Sequence, residues 1–160
     1  MATAKRSMPR RSKASELVLD RFLPYRLSVL SNRISQAIAR EYGRRFDLGV
    51  TEWRVIAVLA RSRGLSPSEI AQRTAMDKVA VSRAVAALTT AGRVARAAHG
   101  ADGRRAVIAL SAKGRAVYRQ VAPLALAYER RLLGALAADE RRQLDRILDR
   151  LAEVQHDVAP

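Results

Sequence analysis

The chain has 160 residues, enough for one domain, or one domain with an appendage, around a real core. Thirty Lys and Arg stand against fifteen acids, a formal charge of +15 with pI near 11.5; this points to a polyanionic partner, nucleic acid ahead of an anionic membrane surface. Aromatics at 4% leave few stacking platforms for single strands or RNA, which favours duplex DNA, and the lack of cysteine excludes thiol redox sensing and thiolate metal sites.

Met1–Ser15 is basic and acid-free, with Lys5, Arg6, Arg10, Arg11 and Lys13, and has no signal-peptide apolar core. It reads as a solvated arm, or as one that touches DNA phosphates or the minor groove. No apolar run reaches the ~18–20 residues that span a bilayer. No membrane partner is expected, and the absence of cysteine fits a reducing cytoplasm.

Leu23, Leu27, Leu30, Ile34 and Ile38 recur at three- and four-residue steps and predict a long helix over roughly 16–43. Pro24 predicts a late start or a kink, and Gly43 with 47–49 predicts the stop. Thr51 is the expected cap of a second helix with Glu52 in its first turn. Trp53, Ile56, Ala57 and Ala60 are its expected buried side.

Ser66-Pro67-Ser68-Glu69 is a strong helix start: serine accepts from the third amide, glutamate reaches back, and Pro67 sits where no amide partner is lost. A short helix over about 67–74 follows. Asp77 caps the next, and Gly92 stands where a left-handed stop is wanted. Two short helices joined by three or four residues form a helix-turn-helix, or a generic helical hairpin. Val81, Ala84, Val85 and Leu88 share one face of the second helix and are the expected core side. Val79, Ser82, Arg83 and Ala86 point outward, with Lys78 near the start. Small residues let a helix enter a major groove; Arg83 suits a guanine edge or a phosphate, and Val79 or Ala80 a thymine methyl.

The segments 93–97 and 105–110 alternate as two strands, with Gly100 and Gly103 in the turn. From Lys78 to Arg105 six basic residues face one acid, Asp102, a net +5. Asp102 beside Arg104 suits a guanidinium held ready for a minor groove. Two helices close the chain. Val117, Val121, Leu124, Tyr128 and Leu132 stripe one over about 111–133, which Pro123 should kink; Leu144, Leu148, Leu151 and Val154 stripe the other, roughly 138–155. So small a core cannot bury these long apolar stripes, and pairing with a second copy is the economical solution. His99 and His156 lie in an expected wing loop and a terminal tail, with no nucleophile near in sequence, and no glycine-rich phosphate loop is present. Neither an enzyme nor a cofactor or metal site is expected.

These residues resemble the MarR family of bacterial transcriptional regulators across nearly all of Glu16–Val154. The matching runs are Leu23-Pro24-Tyr25-Arg26-Leu27-Ser28, Glu52-Trp53-Arg54-Val55, Asp77-Lys78 with Val81-Ser82-Arg83, and Asp102-x-Arg104 followed by Leu110-Ser111-x-x-Gly114. Ser111 replaces the more usual threonine. Ala137 stands where a capping residue is common, at a cost of about 1 kcal/mol unless Asp139 takes over.

The resemblance implies a mainly α fold with a small β-hairpin wing: a winged helix-turn-helix core with N- and C-terminal dimerisation helices. The expected organisation is a basic arm (1–15), an N-terminal dimerisation helix (16–50), the winged helix-turn-helix (51–114) and C-terminal dimerisation helices (115–156). It implies a homodimer in the cytoplasm that binds a short, roughly palindromic operator of double-stranded DNA and usually represses. Carried over by position, the DNA-contacting set is Ser66, Lys78, Val79, Ala80, Ser82 and Arg83 in the major groove region, with Arg104 and Arg105 in the wing. The family commonly releases DNA when a small anionic, often aromatic, effector enters a cleft between dimer region and winged helix. That cleft would draw on Tyr25, Ser28, Asn32, Trp53 and Tyr118. A cationic surrounding favours an acid or an acyl thioester. The competing reading is a non-specific DNA coat driven by charge, without an effector.

Overall fold

The computed structural model describes residues 16–99 and 105–158. Their order is a 3₁₀ turn at Leu19–Arg21, then α1 (Leu23–Phe46), α2 (Val50–Leu59), α3 (Pro67–Thr74), α4 (Lys78–Thr90), β1 (Val94–His99), β2 (Arg105–Leu110), α5 (Ala112–Leu133) and α6 (Ala138–Val158). The fold is mainly α with one two-stranded antiparallel sheet. The chain divides into two compact units, one ending at Ser35 and the other beginning at Gln36. The basic arm lies outside the described residues.

In the first unit no described residue is buried. Leu23, Leu27 and Leu30 of the expected stripe are exposed, as are Leu17, Leu19 and Phe22. The helix starts at Leu23, which puts Pro24 in its first turn, where a missing amide costs nothing.

The second unit holds the core. Tyr42, Leu48, Val55, Ile56, Leu59, Ile70, Val81, Ala84, Leu88, Ile108, Leu110 and Val121 are buried together. Gly43 does not end α1, contrary to expectation. A glycine inside a helix costs only about 1 kcal/mol, and the burial of Tyr42 beside it offsets that. The helix runs on to Phe46, and Asp47 turns the chain with φ 47. Thr51 is not the cap of α2 either. Gly49 holds that position without a side-chain bond, and Thr51 sits inside the first turn. The fully buried face of α2 is Val55, Ile56 and Leu59; Trp53, Ala57 and Ala60 are half-buried beside it.

The helix-turn-helix follows its sequence signals closely. Glu69 N donates to Ser66 Oγ at 3.2 Å, and Ser66 N donates to Glu69 Oε2 at 2.8 Å, a complete capping box. Ala75 ends α3 in the left-handed region, φ 50 and ψ 34. Ala80 N donates to Asp77 Oδ1 at 2.9 Å, capping α4. Gly92, with φ +67, releases the chain into β1. The strands pair from Val94↔Leu110 to His99↔Arg105, and Leu65 bridges to Ile108, so the loop before α3 borders the hairpin.

Ser111 caps α5 through Gly114 N at 3.0 Å, and α5 passes Pro123 as one helix. At α6, Glu140 rather than Asp139 answers the missing cap: its Oε2 accepts from Ala137 N at 2.7 Å. One turn inside the helix, its carboxylate has the reach to bend back, which is half a capping box. Leu148, Leu151 and Val154, with Ile147, remain exposed along α6. No helix among the described residues is long and apolar enough to cross a membrane.

Candidate nucleic-acid interface

The outward face of α4 is set by the inward one. Val81, Ala84 and Leu88 are buried and Val85 packs against them, which fixes the rotation of the helix. Lys78, Val79, Ser82, Arg83 and Ala86 are thereby exposed, and Ala80 is half-buried. Val79 is 59% exposed, a large apolar side chain left open to solvent. Lys78 and Arg83 have no ion pair among the described residues. The amino end of α4 adds the positive end of the helix dipole to Lys78. The face offers free cations, a hydroxyl and small apolar groups, which is groove chemistry rather than the Glu/Lys mixture of a solvated helix.

Other expected contacts stand differently. The Ser66 hydroxyl is engaged in the capping box, where it also donates to Glu69 Oε2 at 2.8 Å. Arg105 is the first residue of β2, opposite His99, and its side chain lies outside the described residues. So do Gly100, Asp102, Gly103 and Arg104.

The carboxyl end of α4 is fastened from three sides. Lys113 Nζ donates to Ala91 O at 2.8 Å and Ser111 Oγ to Gly92 O at 2.7 Å. Arg93 donates through Nη1 to Asp47 O at 3.0 Å and through Nη2 to Phe46 O. One guanidinium thus satisfies carbonyls at the end of α1 that a helix terminus leaves free. Sequence reasoning missed Arg93, because its partners lie 46 and 47 residues away.

Of the expected effector residues, Tyr25, Ser28 and Asn32 are exposed on α1 in the first unit. Trp53 and Tyr118 come together in the second: their rings stack at 5.9 Å and 19°, and Trp53 also meets Tyr42 at 5.7 Å. Burial first, then the Glu52 carboxylate, pushes the Tyr42 phenol up to about 12, with Arg54 opposing. Beside Tyr118 lies a crevice of about 410 Å³ that sequence reasoning did not anticipate. Arg63, from the loop after α2, and Arg115 and Arg119, from α5, line it. The only sequence signal is the four-residue spacing of Arg115 and Arg119, which places both on one face of α5.

With this geometry established, comparison with known proteins is decisive. A family model described as MarR family matches residues 46–105. The HTH-type transcriptional repressor Rv2887 of Mycobacterium tuberculosis is 32% identical over 133 residues, covering 81% of this chain and 91% of the relative. This chain belongs to the MarR family. A MarR/EmrR family transcriptional regulator from Acinetobacter sp. ADP1 superposes with TM-score 0.80 at 28% identity, over 89% of this chain and 100% of that one. The Mycobacterium tuberculosis MarR family protein Rv2887, solved in complex with salicylic acid, superposes with TM-score 0.65 at 26% identity, over 81% and 95%. The chain is thus a MarR family transcriptional regulator, with α3 and α4 as its helix-turn-helix and the β1–β2 hairpin as its wing.

Proposed function

We propose that this MarR family regulator works in the cytoplasm as a homodimeric repressor. It sits on a short, roughly palindromic operator of double-stranded DNA and leaves it when a small organic anion binds. The observation that carries the DNA contact is the outward face of α4: Lys78 and Arg83 without an ion pair among the described residues, and Val79, Ser82 and Ala86 exposed beside them. The uncovered apolar residues of α1 and α6 support the dimer, since a second copy is the economical cover for Leu27, Leu30, Leu148 and Leu151. A two-fold pair would present two recognition helices to successive major grooves. The salicylic acid complex of Rv2887 supports an anionic effector.

The test is binding to the DNA just upstream of the protein's own gene and to a scrambled fragment, across a salt series, with the stoichiometry measured by ultracentrifugation. A large preference that survives physiological salt, with two chains per site, is expected. Equal binding that collapses with salt would leave two readings: a non-specific coat driven by the charge of +15, or a regulator whose operator lies elsewhere in the genome.

A further inference from the structure

We infer, on the DNA contact proposed above for the outward face of α4, that Arg93 is a positioning residue for reading sequence. It seats the carboxyl end of α4 on the carboxyl end of α1, and discrimination between DNA sequences depends on that seat. Arg93 follows Gly92, where the chain leaves α4 at φ +67 and turns into β1. Its polar groups engage three elements at once. Arg93 N donates to Leu88 O of α4 at 2.8 Å, and Arg93 O accepts from the amide of Ser111, the cap of α5, at 3.0 Å. The guanidinium reaches the end of α1, through Nη1 to Asp47 O at 3.0 Å and through Nη2 to Phe46 O. Lys113 and Ser111 fasten the same corner to α5, and Arg93 carries it on to α1.

The tie has the chemistry of a fixed joint. Two donors of one planar group on two successive carbonyls set angle as well as distance, which a flexible amine does not. Both carbonyls lie at the negative end of the α1 dipole and suit a cation. Arg93 has no ion pair among the described residues, and its Nε is buried without a hydrogen-bond partner among them. A buried donor left unmatched costs stability. An apolar side chain would avoid that cost, but it would leave the corner without its joint.

The outward face of α4 makes position matter. Val79, Ser82 and Ala86 are short, so they meet a base edge only where the backbone brings them. A methyl or a hydroxyl has no stem with which to make up a shift of the helix. Lys78 and Arg83 carry their charge on long stems that follow a phosphate through such a shift. Packing of Val81, Ala84 and Leu88 fixes which face of α4 turns outward, and the joint fixes where its carboxyl end stands. Loosening the joint therefore removes base reading and leaves charge-driven affinity in place.

The experiment uses the full chain with Arg93→Lys, which keeps the charge and loses the planar fork, and Arg93→Met, which keeps only an apolar stem. Val121→Ala, at a fully buried position of α5, is the control for lost stability. A duplex that wild type enriches from a random pool serves as operator, with a scrambled duplex beside it. Both are titrated across a salt series below the melting temperature of every variant. Arg93→Lys should bind scrambled DNA within about twofold of wild type, with the same salt slope. It should lose roughly tenfold on the operator, about the effect of one mismatched base pair, and Arg93→Met should lose at least as much. Val121→Ala should keep the wild-type ratio of the two affinities. An equal fall of both affinities in Arg93→Lys, as a merely structural role gives, would overturn the inference. Wild-type preference retained in Arg93→Lys would overturn it too, and would leave the DNA reading standing. A wild type that enriches no sequence from the pool removes the operator reading itself, and this one with it. Should Arg93→Met not fold, Arg93→Lys decides alone.

Discussion

Gly114, in the first turn of α5, lies against the backbone carbonyl of Arg93, so close that a Cβ there would fall well inside 3.0 Å of that oxygen. The neighbour is main chain, which cannot rotate away. It is also the residue that fastens the end of α4 to the end of α1. Gly114→Ala is expected to destabilise the fold by about 2–3 kcal/mol. At temperatures where it stays folded it should also bind operator more weakly, because α4 loses its seat. Urea unfolding and operator titration check both; wild-type stability would mean that the α5 cap moves freely.

Ala75 carries the left-handed turn between α3 and α4, where a Cβ costs about 1–2 kcal/mol. It is exposed, so its methyl contributes little packing. Ala75→Gly should stabilise by a net of roughly 1 kcal/mol, the strain relieved minus the ~0.5 kcal/mol or more of entropy that glycine loses on folding. The melting temperature should then rise by about 2–4 °C, and a fall would show that the turn is not strained.

Tyr42 is fully buried, and its hydroxyl has no hydrogen-bond partner among the described residues. Its pKa is raised to about 12 from an ordinary value near 10. The neutral phenol is therefore favoured by the fold. Its contribution is complete below about pH 10 and is lost as pH rises through about 12. Tyr42→Phe should match wild type at pH 7 within about 1 kcal/mol and decline less steeply in alkali. Unfolding midpoints at neutral and alkaline pH decide it; parallel decline of the two proteins would place the alkaline sensitivity elsewhere.

Much of this architecture was legible in the sequence, because its signals are local. Ser66 with Glu69, Asp77, Gly92 and Ser111 act within four residues of themselves, and each ends or starts the element expected of it. The misreadings are of two kinds: a helix that burial carries past its local stop, and a cap whose place a neighbour in sequence takes. Gly43 fails to stop α1 because Tyr42 is buried beside it; Thr51 yields its place to Gly49; Glu140 does the work expected of Asp139. The arginine crevice was beyond sequence reasoning because its lining comes from separate elements. Arg63 and Arg119 lie far apart in the chain and meet only once β2 and α5 are in place.

Val79 allows a test at the level of one methyl group. If the exposed face of α4 enters a major groove, this uncovered apolar side chain meets a thymine C5 methyl. Replacing thymines in the operator singly by deoxyuridine removes only that methyl. Wild type should lose affinity at either of one symmetric pair of positions, by roughly fourfold for each substituted half-site, given about 0.8 kcal/mol per buried methyl. Val79→Ala should lose this sensitivity. Uniform tolerance of deoxyuridine would remove Val79 from base reading while leaving Arg83 to be tested on its own.

The Arg93 fastening also bears on which DNA the protein can tolerate. Because the guanidinium of Arg93, just past α4, holds the carbonyls of Phe46 and Asp47, the recognition helix is expected to turn with the body of the second unit and not alone. Paired as proposed, two such bodies would measure distance like a fixed caliper. Operators with one base pair inserted or deleted between half-sites would then be rejected outright, not followed by a helix that leans to reach them.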